Sequence, residues 1–443
     1  MGEELFNACE SGDIEEVQKL LQNPQININW EHEYYYGVTP LYIACFEGHI
    51  DIVKLLLNDE RIDINKATDG NTPFYVACCK GHLEIVKLLL NDKRVDINKV
   101  NEGWTSFYSA CYNGHIEIVK LFLNDERVDI NEPNKDGKTP FSVACQEGHI
   151  EVVQLFLQNQ RTDINKAMND GKTPFSIACQ EGQIEIVKLL LNDERVVIGQ
   201  ANEYNETPFH FACENGHIDI VKLLLNDERV VDINNSTKDG TTPLYSACFE
   251  GHIEIVKLLL NDERIDSINQ RGPYGRTPIY IACKNRHNEI VKLLLNDKRI
   301  DVNEPSRDGW TPLHVVCESG QIEMMEYILA HEKEVNLRVK NHLGRIVIET
   351  ARTKVGDRFW EIDGDYQERR TKWMEIVKLL ESYERNPNET RAKLRLKFGF
   401  ASNFYYYHLC FFSFLRVILF SIDGDATSIF VIVVLLSDQY LSF

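Results

Sequence analysis

Apolar residues recur along this chain at helical spacing, in short segments that come in pairs. In one segment Phe74, Ala77 and Cys78 fall on one side of a helix and predict a buried stripe. Thr72 suits the N-terminus of this helix, because its hydroxyl can accept a hydrogen bond from a free backbone N–H of the first turn. Gly81 can adopt a left-handed conformation and end it. The pattern therefore predicts a first helix of about two turns, marginal on its own.

The segment that follows, 83–90, is apolar on nearly every side. Glu84 and Lys87 interrupt it on one narrow face, so the remaining surface is predicted to be buried between neighbouring helices. These two residues are three positions apart and can pair across one turn. Asn91 is predicted to close this second helix in a left-handed cap, a conformation that Asn tolerates better than most residues.

The same pair of helices returns along the chain. The threonine that opens each first helix falls at 39, 72, 105, 139, 173, 207, 242, 277 and 311, which gives steps of 33 to 35 residues. Self-similarity at this period predicts a solenoid of stacked helix–turn–helix units. Because a solenoid presents a long surface, the pattern indicates binding as the function and does not name the partner.

The motifs inside each unit resemble those of ankyrin repeats. Thr-Pro-Leu-His stands at 311–314 and Thr-Pro-Phe-His at 207–210, and the Gly-His-x-Glu-Ile-Val-Lys-Leu-Leu-Leu pattern is met at 81–90 and 251–260. The resemblance covers about residues 1–385, or about eleven repeats with divergent end units. It implies an all-α ankyrin-repeat solenoid with β-turn or hairpin tips, which binds other proteins and is not an enzyme.

Three segments are predicted along the chain. Residues 1–342 form the ankyrin repeats with an N-terminal capping unit, and 343–397 form a divergent C-terminal repeat and cap with an insertion at 352–372. The hydrophobic tail, 398–443, differs in composition from the repeats and is rich in Phe, Tyr, Leu, Ile and Val. Within it, 403–422 reaches the length of a membrane-spanning helix. The tail is therefore either a membrane anchor or a disordered or non-authentic extension.

Charge and cysteine usage indicate the environment. The formal net charge of −20 argues against nucleic-acid binding and favours basic partners. Met1 to Glu4 lead straight into the first unit, so we expect no signal peptide. Stacked repeats place equivalent positions about 8–10 Å apart, too far for disulfides. We therefore expect buried free thiols and a monomeric chain in the cytoplasm; the recurring cysteines are at 9, 45, 78, 111, 145, 179, 213, 248, 283 and 317.

Residue patterns that could suggest a metal or catalytic site are better explained by the repeat. Cys45 and His49 have a spacing that could suit a metal on one helix, but the intervening glycine ends that helix. Gln183 and Gln321 replace the histidine in two copies without other change, which favours a structural role for it. The chain has neither a Gly-rich phosphate loop nor a nucleophile elbow. We therefore predict no catalytic residue, no cofactor and no metal site.

The resemblance implies that partners bind at the turn tips and at the first helices, which line a concave face. The residue after Ala-Cys varies between copies while its neighbours repeat, so stacking does not require one side chain there. Aromatic residues are common interface anchors. Our partner-binding candidates are therefore the aromatic residues on these helices and tips: Tyr35, Phe46, Trp104, Tyr112, Tyr204, Phe249, Tyr274 and Trp310.

Each of these aromatic residues has an alternative role, packing on the turn of a neighbour. Trp104→Ala and Trp310→Ala distinguish the two, since loss of a partner with the fold intact indicates binding and loss of helicity indicates packing. The leading functional hypothesis is a cytoplasmic scaffold or adaptor for other proteins. The alternatives are a scaffold with cytosolic repeats tethered to a membrane by its tail, and a regulatory or substrate-recruiting subunit of a separate enzyme.

Overall fold

A computed structural model of the chain describes residues 2–33, 37–68, 70–101, 103–230, 233–331, 333–356 and 366–400. The chain divides into two compact units, Met1–Pro273 and Tyr274–Phe443. Both units consist of paired antiparallel helices, and the described residues contain only isolated β-bridges at the tips. The predicted all-α repeat fold is therefore confirmed.

In the first unit each repeat contributes a first and a second helix. The first helices are α1 (Gly2–Ser11), α3 (Pro40–Glu47), α5 (Pro73–Lys80), α7 (Ser106–Tyr112), α9 (Pro140–Glu147), α11 (Pro174–Gln180), α13 (Pro208–Glu214) and α15 (Pro243–Glu250). The second helices are α2 (Ile14–Leu21), α4 (Ile50–Leu57), α6 (Leu83–Leu90), α8 (Ile116–Leu123), α10 (Ile150–Gln158), α12 (Ile184–Leu191), α14 (Ile218–Leu225) and α16 (Ile253–Asn261).

Local signals begin and end the first helices as predicted. The Thr72 hydroxyl accepts a hydrogen bond from the backbone N–H of Tyr75 at 3.1 Å, and Pro73 occupies the first turn. Gly81 ends α5 with φ +79°, in the left-handed region. The tip before the helix is closed by two hydrogen bonds of 2.9 Å between the backbones of Thr68 and Asn71. The predicted turn-like tips are therefore confirmed.

The second helices supply much of the core. Ile85, Val86 and Leu89 on α6 are almost fully buried. Lys87 lies 2.7 Å from Glu84 and forms the predicted ion pair. The predicted left-handed cap at Asn91 is wrong, since that residue has φ −81° and ψ −14°. Its N–H bonds back to the carbonyl of Lys87, so the chain leaves the helix through a right-handed turn and needs no left-handed residue.

Within the first unit, neighbouring first helices pack more extensively than neighbouring second helices do. The first helices therefore form the more extensively packed layer of Met1–Pro273; that this layer lines a concave face stays a prediction from the resemblance to ankyrin repeats.

The histidine after the glycine joins one repeat to the previous one. His82 Nε2 lies 2.9 Å from the carbonyl oxygen of Phe46, and its ring fills the space next to Gly48. Equivalent contacts of 2.8–3.2 Å are made by His49, His115, His149, His217 and His252. The predicted structural role of this histidine is confirmed. Its contact also connects each second helix to the first helix of the preceding repeat.

The connectors make a second set of contacts between repeats. Arg127 is 2.6 Å from the Asp125 carboxylate and donates a hydrogen bond to the carbonyl oxygen of Leu90 in the preceding repeat. Asn65 donates to the carbonyl of Arg94 and accepts from the N–H of Asp96. These Asn-Asp-x-Arg and Asp-Ile-Asn segments thus link adjacent repeats through polar contacts on the surface.

The second unit contains α17 (Pro278–Lys284), α18 (Asn288–Asn296), α19 (Pro312–Glu318), α20 (Ile322–Ala330), α21 (Val347–Gly356), α22 (Tyr366–Arg385) and α23 (Pro387–Lys397). Helices α21 and α22 extend into the two ends of the predicted insertion, 352–372, leaving 357–365 outside the described residues. Trp373 Nε1 donates a hydrogen bond to the carbonyl of Cys317, which fixes α22 on α19.

The tail from residue 401 lies outside the described residues, and with it the predicted membrane segment 403–422. Within the described part of the chain, no helix combines the length and apolarity needed to cross a membrane.

Candidate partner-binding surface

The residue that follows Ala-Cys, at the end of each first helix, has a fixed backbone and a variable side chain. We call this set of positions the first-helix face; in the first unit it comprises Phe46, Cys79, Tyr112, Gln146, Gln180, Glu214 and Phe249. At six of these positions, the carbonyl oxygen lies within hydrogen-bond distance of the His or Gln of the next repeat; they are Phe46, Cys79, Tyr112, Gln146, Gln180 and Glu214. The structure therefore presents different side chains from equivalent, evenly repeated backbone positions.

Trp104 and Tyr112 are the two predicted site residues that the structure brings together. The Trp104 ring packs edge-on against Tyr112 at 5.8 Å between centroids and against Tyr108 at 4.7 Å. Tyr108 is buried, and this burial raises its pKa. Tyr112 keeps 40 % of its surface exposed. Trp104 thus packs on the core, whereas Tyr112 presents a ring to solvent.

The other candidates of the first unit are placed separately. The Lys80 ammonium lies 4.1 Å from the centre of the Phe46 ring, so this half-buried ring already holds a cation. Phe249 on α15 is 44 % exposed. Tyr204, in the tip that precedes α13, is 56 % exposed. Exposed rings on a folded surface suit contact with a partner better than rings that neighbours already cover.

Two candidates lie in the second unit. Trp310 Nε1 donates a hydrogen bond to Nδ1 of His342 at 3.1 Å, and its ring packs edge-on against His314. Tyr274 has φ +59° at a tip, is exposed, and holds the Arg276 guanidinium 4.7 Å from its ring centre. Tyr35 lies outside the described residues.

Glu214 is the one carboxylate of the first-helix face, and other carboxylates lie close to it. The pKa of Glu214 is raised, first by desolvation where the side chain lies against the helix face and then by repulsion from Glu206 and Glu250. Lys172 acts in the opposite direction but is also shared with Asp170 at 3.6 Å. A further cation that approached Glu214 would stabilise its charged form and lower its pKa.

Glu214 on this face and three carboxylates one residue beyond it were left out when aromatic residues alone were selected from the sequence. Glu147, Glu214 and Glu250 are the last residues of α9, α13 and α15, and Glu181 is the C-cap of α11. Negative charge at a helix C-terminus opposes the helix dipole. That conflict was visible in the sequence and could have identified them.

The described residues contain no cluster of His, Cys, Asp or Glu that could hold a metal ion. The repeated cysteines are free, and burial raises the pKa of the Cys9 thiol to about 12. At neutral pH these thiols are protonated, and a protonated thiol is neither a good nucleophile nor a metal ligand. The groups that this surface exposes are aromatic rings and charged side chains, which can contact another protein.

Comparison with known families agrees with this geometry. A model of ankyrin repeats (three copies) matches residues 5–101, 59–135, 107–202, 194–271 and 264–339. Ankyrin repeats generally mediate binding between proteins and are typically non-enzymatic. Since these matches follow one another across most of the chain and coincide with the helix pairs, this chain belongs to the ankyrin repeat family.

Proposed function

We propose that this protein is a non-enzymatic scaffold that binds a partner protein through the first-helix face of Met1–Pro273. One observation carries the proposal. At these positions the next repeat holds the backbone carbonyl, while the side chain changes from ring to amide to carboxylate. Side chains that differ on a regular backbone contribute little to stacking and can encode the choice of partner.

The exposed rings support the same role. Tyr112 and Phe249 stand at equivalent positions of two first helices, and both expose about two fifths of their surface. Burying such a ring in an interface stabilises a complex by about 1–3 kcal/mol. The partner therefore has apolar groups that cover these two positions.

The cysteines support a cytoplasmic location. Ten equivalent cysteines are buried and unpaired in consecutive repeats. Unpaired thiols at this density suit a compartment that keeps cysteine reduced.

The test uses the full chain as bait in cell lysate, with captured proteins quantified by mass spectrometry. The variant carries Tyr112→Ala and Phe249→Ala. The matched control carries Ile150→Ala and Val197→Ala, which remove two exposed apolar side chains from a second helix and a connector. Proteins lost from the variant and retained by the control support the proposal. Equal capture by both would overturn it, provided that circular dichroism shows both to be folded.

A further inference from the structure

Large apolar side chains are exposed at two tips of the second unit. Tyr274 is 63 % exposed and Leu343 is 54 % exposed, and each lies directly before the glycine of its tip. Among the described residues, only one other large apolar side chain exposes more than half of its surface, Tyr204 at the equivalent place of another tip. Six repeats have Asp or Glu at this place, at 69, 102, 136, 170, 239 and 308. Tyr274 and Leu343 therefore stand where most repeats have a carboxylate, and the fold does not bury them.

Hydrogen bonds join the three tips of this unit into one row. The N–H of Arg307 donates to the carbonyl oxygen of Tyr274 at 2.9 Å, and the N–H of His342 donates to that of Asp308 at 2.8 Å. The bond from Trp310 to His342 adds a side-chain contact between the second and third tips. Each tip is thus fixed on the next, which gives the exposed side chains defined places. We call this row the second-unit tips, residues 274–276, 306–310 and 340–345.

Cations accompany the apolar side chains in this row. The Arg276 guanidinium lies 4.7 Å from the centre of the Tyr274 ring, and Arg345 holds the equivalent place in the third tip. Arg307 and Lys340 are two further exposed cations. Within the part of the chain that the structure describes, none of these four cations forms a salt bridge. Their charge is therefore available to a partner.

Few carboxylates oppose this charge. Asp308 lies in the middle tip, and Glu318 on α19 is already shared with Lys354 at 3.5 Å. Residues 274–400 hold 23 Lys and Arg against 20 Asp and Glu, although the whole chain has a net charge of −20. The excess of carboxylates therefore lies almost wholly before residue 274. Charge complementarity at the two outer tips favours an anionic partner.

The row also sets the spacing of the partner's groups. Repeats whose helices pack about 8–10 Å apart place the two outer tips about 16–20 Å apart. An extended segment advances about 3.3 Å per residue, so residues six apart span this distance and face the same side. Two apolar residues at this spacing can cover Tyr274 and Leu343, and a carboxylate next to each can reach Arg276 and Arg345. The centre of the segment faces Asp308 and should therefore be uncharged.

We propose that the second-unit tips bind an extended segment of a partner protein that carries two pairs, each an apolar residue with a neighbouring carboxylate, separated by an uncharged stretch. Tyrosine and arginine are frequent anchors of interfaces, and Tyr274 with Arg276 supplies both. The surface shares no residue with the first-helix face, so the inference goes beyond the proposed function and gives the scaffold a second partner site. Increasing salt weakens the complex, because its ion pairs lie at the surface.

The test measures binding of a rhodamine-labelled peptide to the full chain by fluorescence anisotropy at low salt. The probe is Glu-Leu, five serines and Leu-Glu, and the spacing control has the same residues with the two pairs adjacent. The double variant Tyr274→Asn, Arg345→Gln removes one group from each outer tip. Asn tolerates the left-handed backbone of position 274, where φ is +59°. The matched control Val197→Ser, Lys298→Gln removes an exposed apolar side chain and an exposed cation elsewhere.

We expect the double variant to bind the probe about tenfold more weakly than the parent, and the matched control to bind within about twofold. The spacing control should bind more weakly than the probe. Equal losses in the two variants, equal binding of the two peptides, or no binding to the parent would overturn the proposal. If circular dichroism shows the double variant to be misfolded, Leu343→Ser replaces it, since that side chain is more than half exposed.

Sedimentation velocity of the parent at low and high salt tests a different occupant of the same tips. Self-association that salt and the double variant both abolish would assign the tips to a second copy of the chain and overturn the proposal. A chain that stays monomeric while it binds the probe supports it. The dependence of protein capture on Tyr112 and Phe249 is measured separately, so failure of the proposed function and failure of this inference are distinguishable.

Discussion

Gln183 Nε2 donates a hydrogen bond to the backbone carbonyl oxygen of Gln146 at 2.8 Å, in the place where most repeats use a histidine. His82 makes the equivalent contact with Phe46 at 2.9 Å. Both side chains bring an N–H to the same carbonyl at the end of the preceding first helix. Either an imidazole or a side-chain amide can therefore supply the donor at this position.

This relationship predicts the effect of two substitutions at one site. His82→Ala removes the donor and leaves a half-buried carbonyl unpaired, so we expect a loss of about 1 kcal/mol in the free energy of unfolding. His82→Gln restores the donor and should recover at least half of that loss. Urea unfolding followed by circular dichroism measures both. Equal destabilisation by Ala and Gln would show that ring packing against Gly48, and not the hydrogen bond, matters at this site.

Gly81 combines a left-handed backbone with a crowded position. Its φ is +79°, and a Cβ added there would come within 2.7 Å of the His115 ring. Gly81→Ala should therefore cost more than about 1 kcal/mol of unfolding free energy, from backbone strain and from displacement of the ring. Gly199→Ala is the control, since no atom lies within 4 Å of its added Cβ. In a His115→Ala background the cost at Gly81 should shrink, because only the strain remains; an unchanged cost would contradict the contact.

The helices could be predicted from the sequence because each repeat carries its own signals. Thr72 caps α5, Gly81 ends it, and apolar spacing marks the buried side, so no distant residue is needed. The error at Asn91 arose where propensity suggested a left-handed cap and the connector continued in a right-handed turn. Its course depends on contacts with other repeats, such as the hydrogen bond from Arg127 to Leu90.

The candidate surface was harder to predict, since exposure depends on residues in other turns and repeats. The sequence marks Trp104 and Tyr112 equally as aromatic residues, but the buried Tyr108 supports the first and not the second. Lys80 comes from the repeat after Phe46 and covers its ring. The first pairing lies within one repeat and the second spans about one repeat, and periodicity alone does not show which side chains meet.

The connectors predict a loss of stability in acid. Arg127 lowers the pKa of Asp125 in the folded protein, chiefly through the hydrogen bond between their side chains. The folded pKa lies below the unfolded one, so this contribution is present above about pH 4 and is lost as the pH falls through the folded pKa. Asp125→Asn should therefore lower the urea midpoint at pH 7, and its difference from the parent should shrink toward pH 3.

The control for this titration is Glu126→Gln, which removes the adjacent exposed carboxylate. It should change the midpoint little at either pH, because Arg127 bonds to Asp125. A difference between Asp125→Asn and the parent that stays constant from pH 7 to pH 3 would contradict the ion pair as its source. Similar Asp–Arg pairs occur at Asp59, Asp92, Asp193, Asp227, Asp262 and Asp297, so the parent itself should lose stability over the same range.

Trp104 and Tyr112 should separate stability from binding. Trp104→Ala removes edge-on contacts with two rings, each worth about 0.5–1.5 kcal/mol, so it should lower the unfolding free energy by at least about 1 kcal/mol. Tyr112→Ala loses only the outer of those contacts and should lower it by less. If the first-helix face binds the partner, Tyr112→Ala should nevertheless reduce capture of the partner more than Trp104→Ala does, for each kcal/mol of stability lost. Measuring urea unfolding and capture on both variants tests this, and a stability loss at Tyr112 as large as at Trp104 would place both rings in the core.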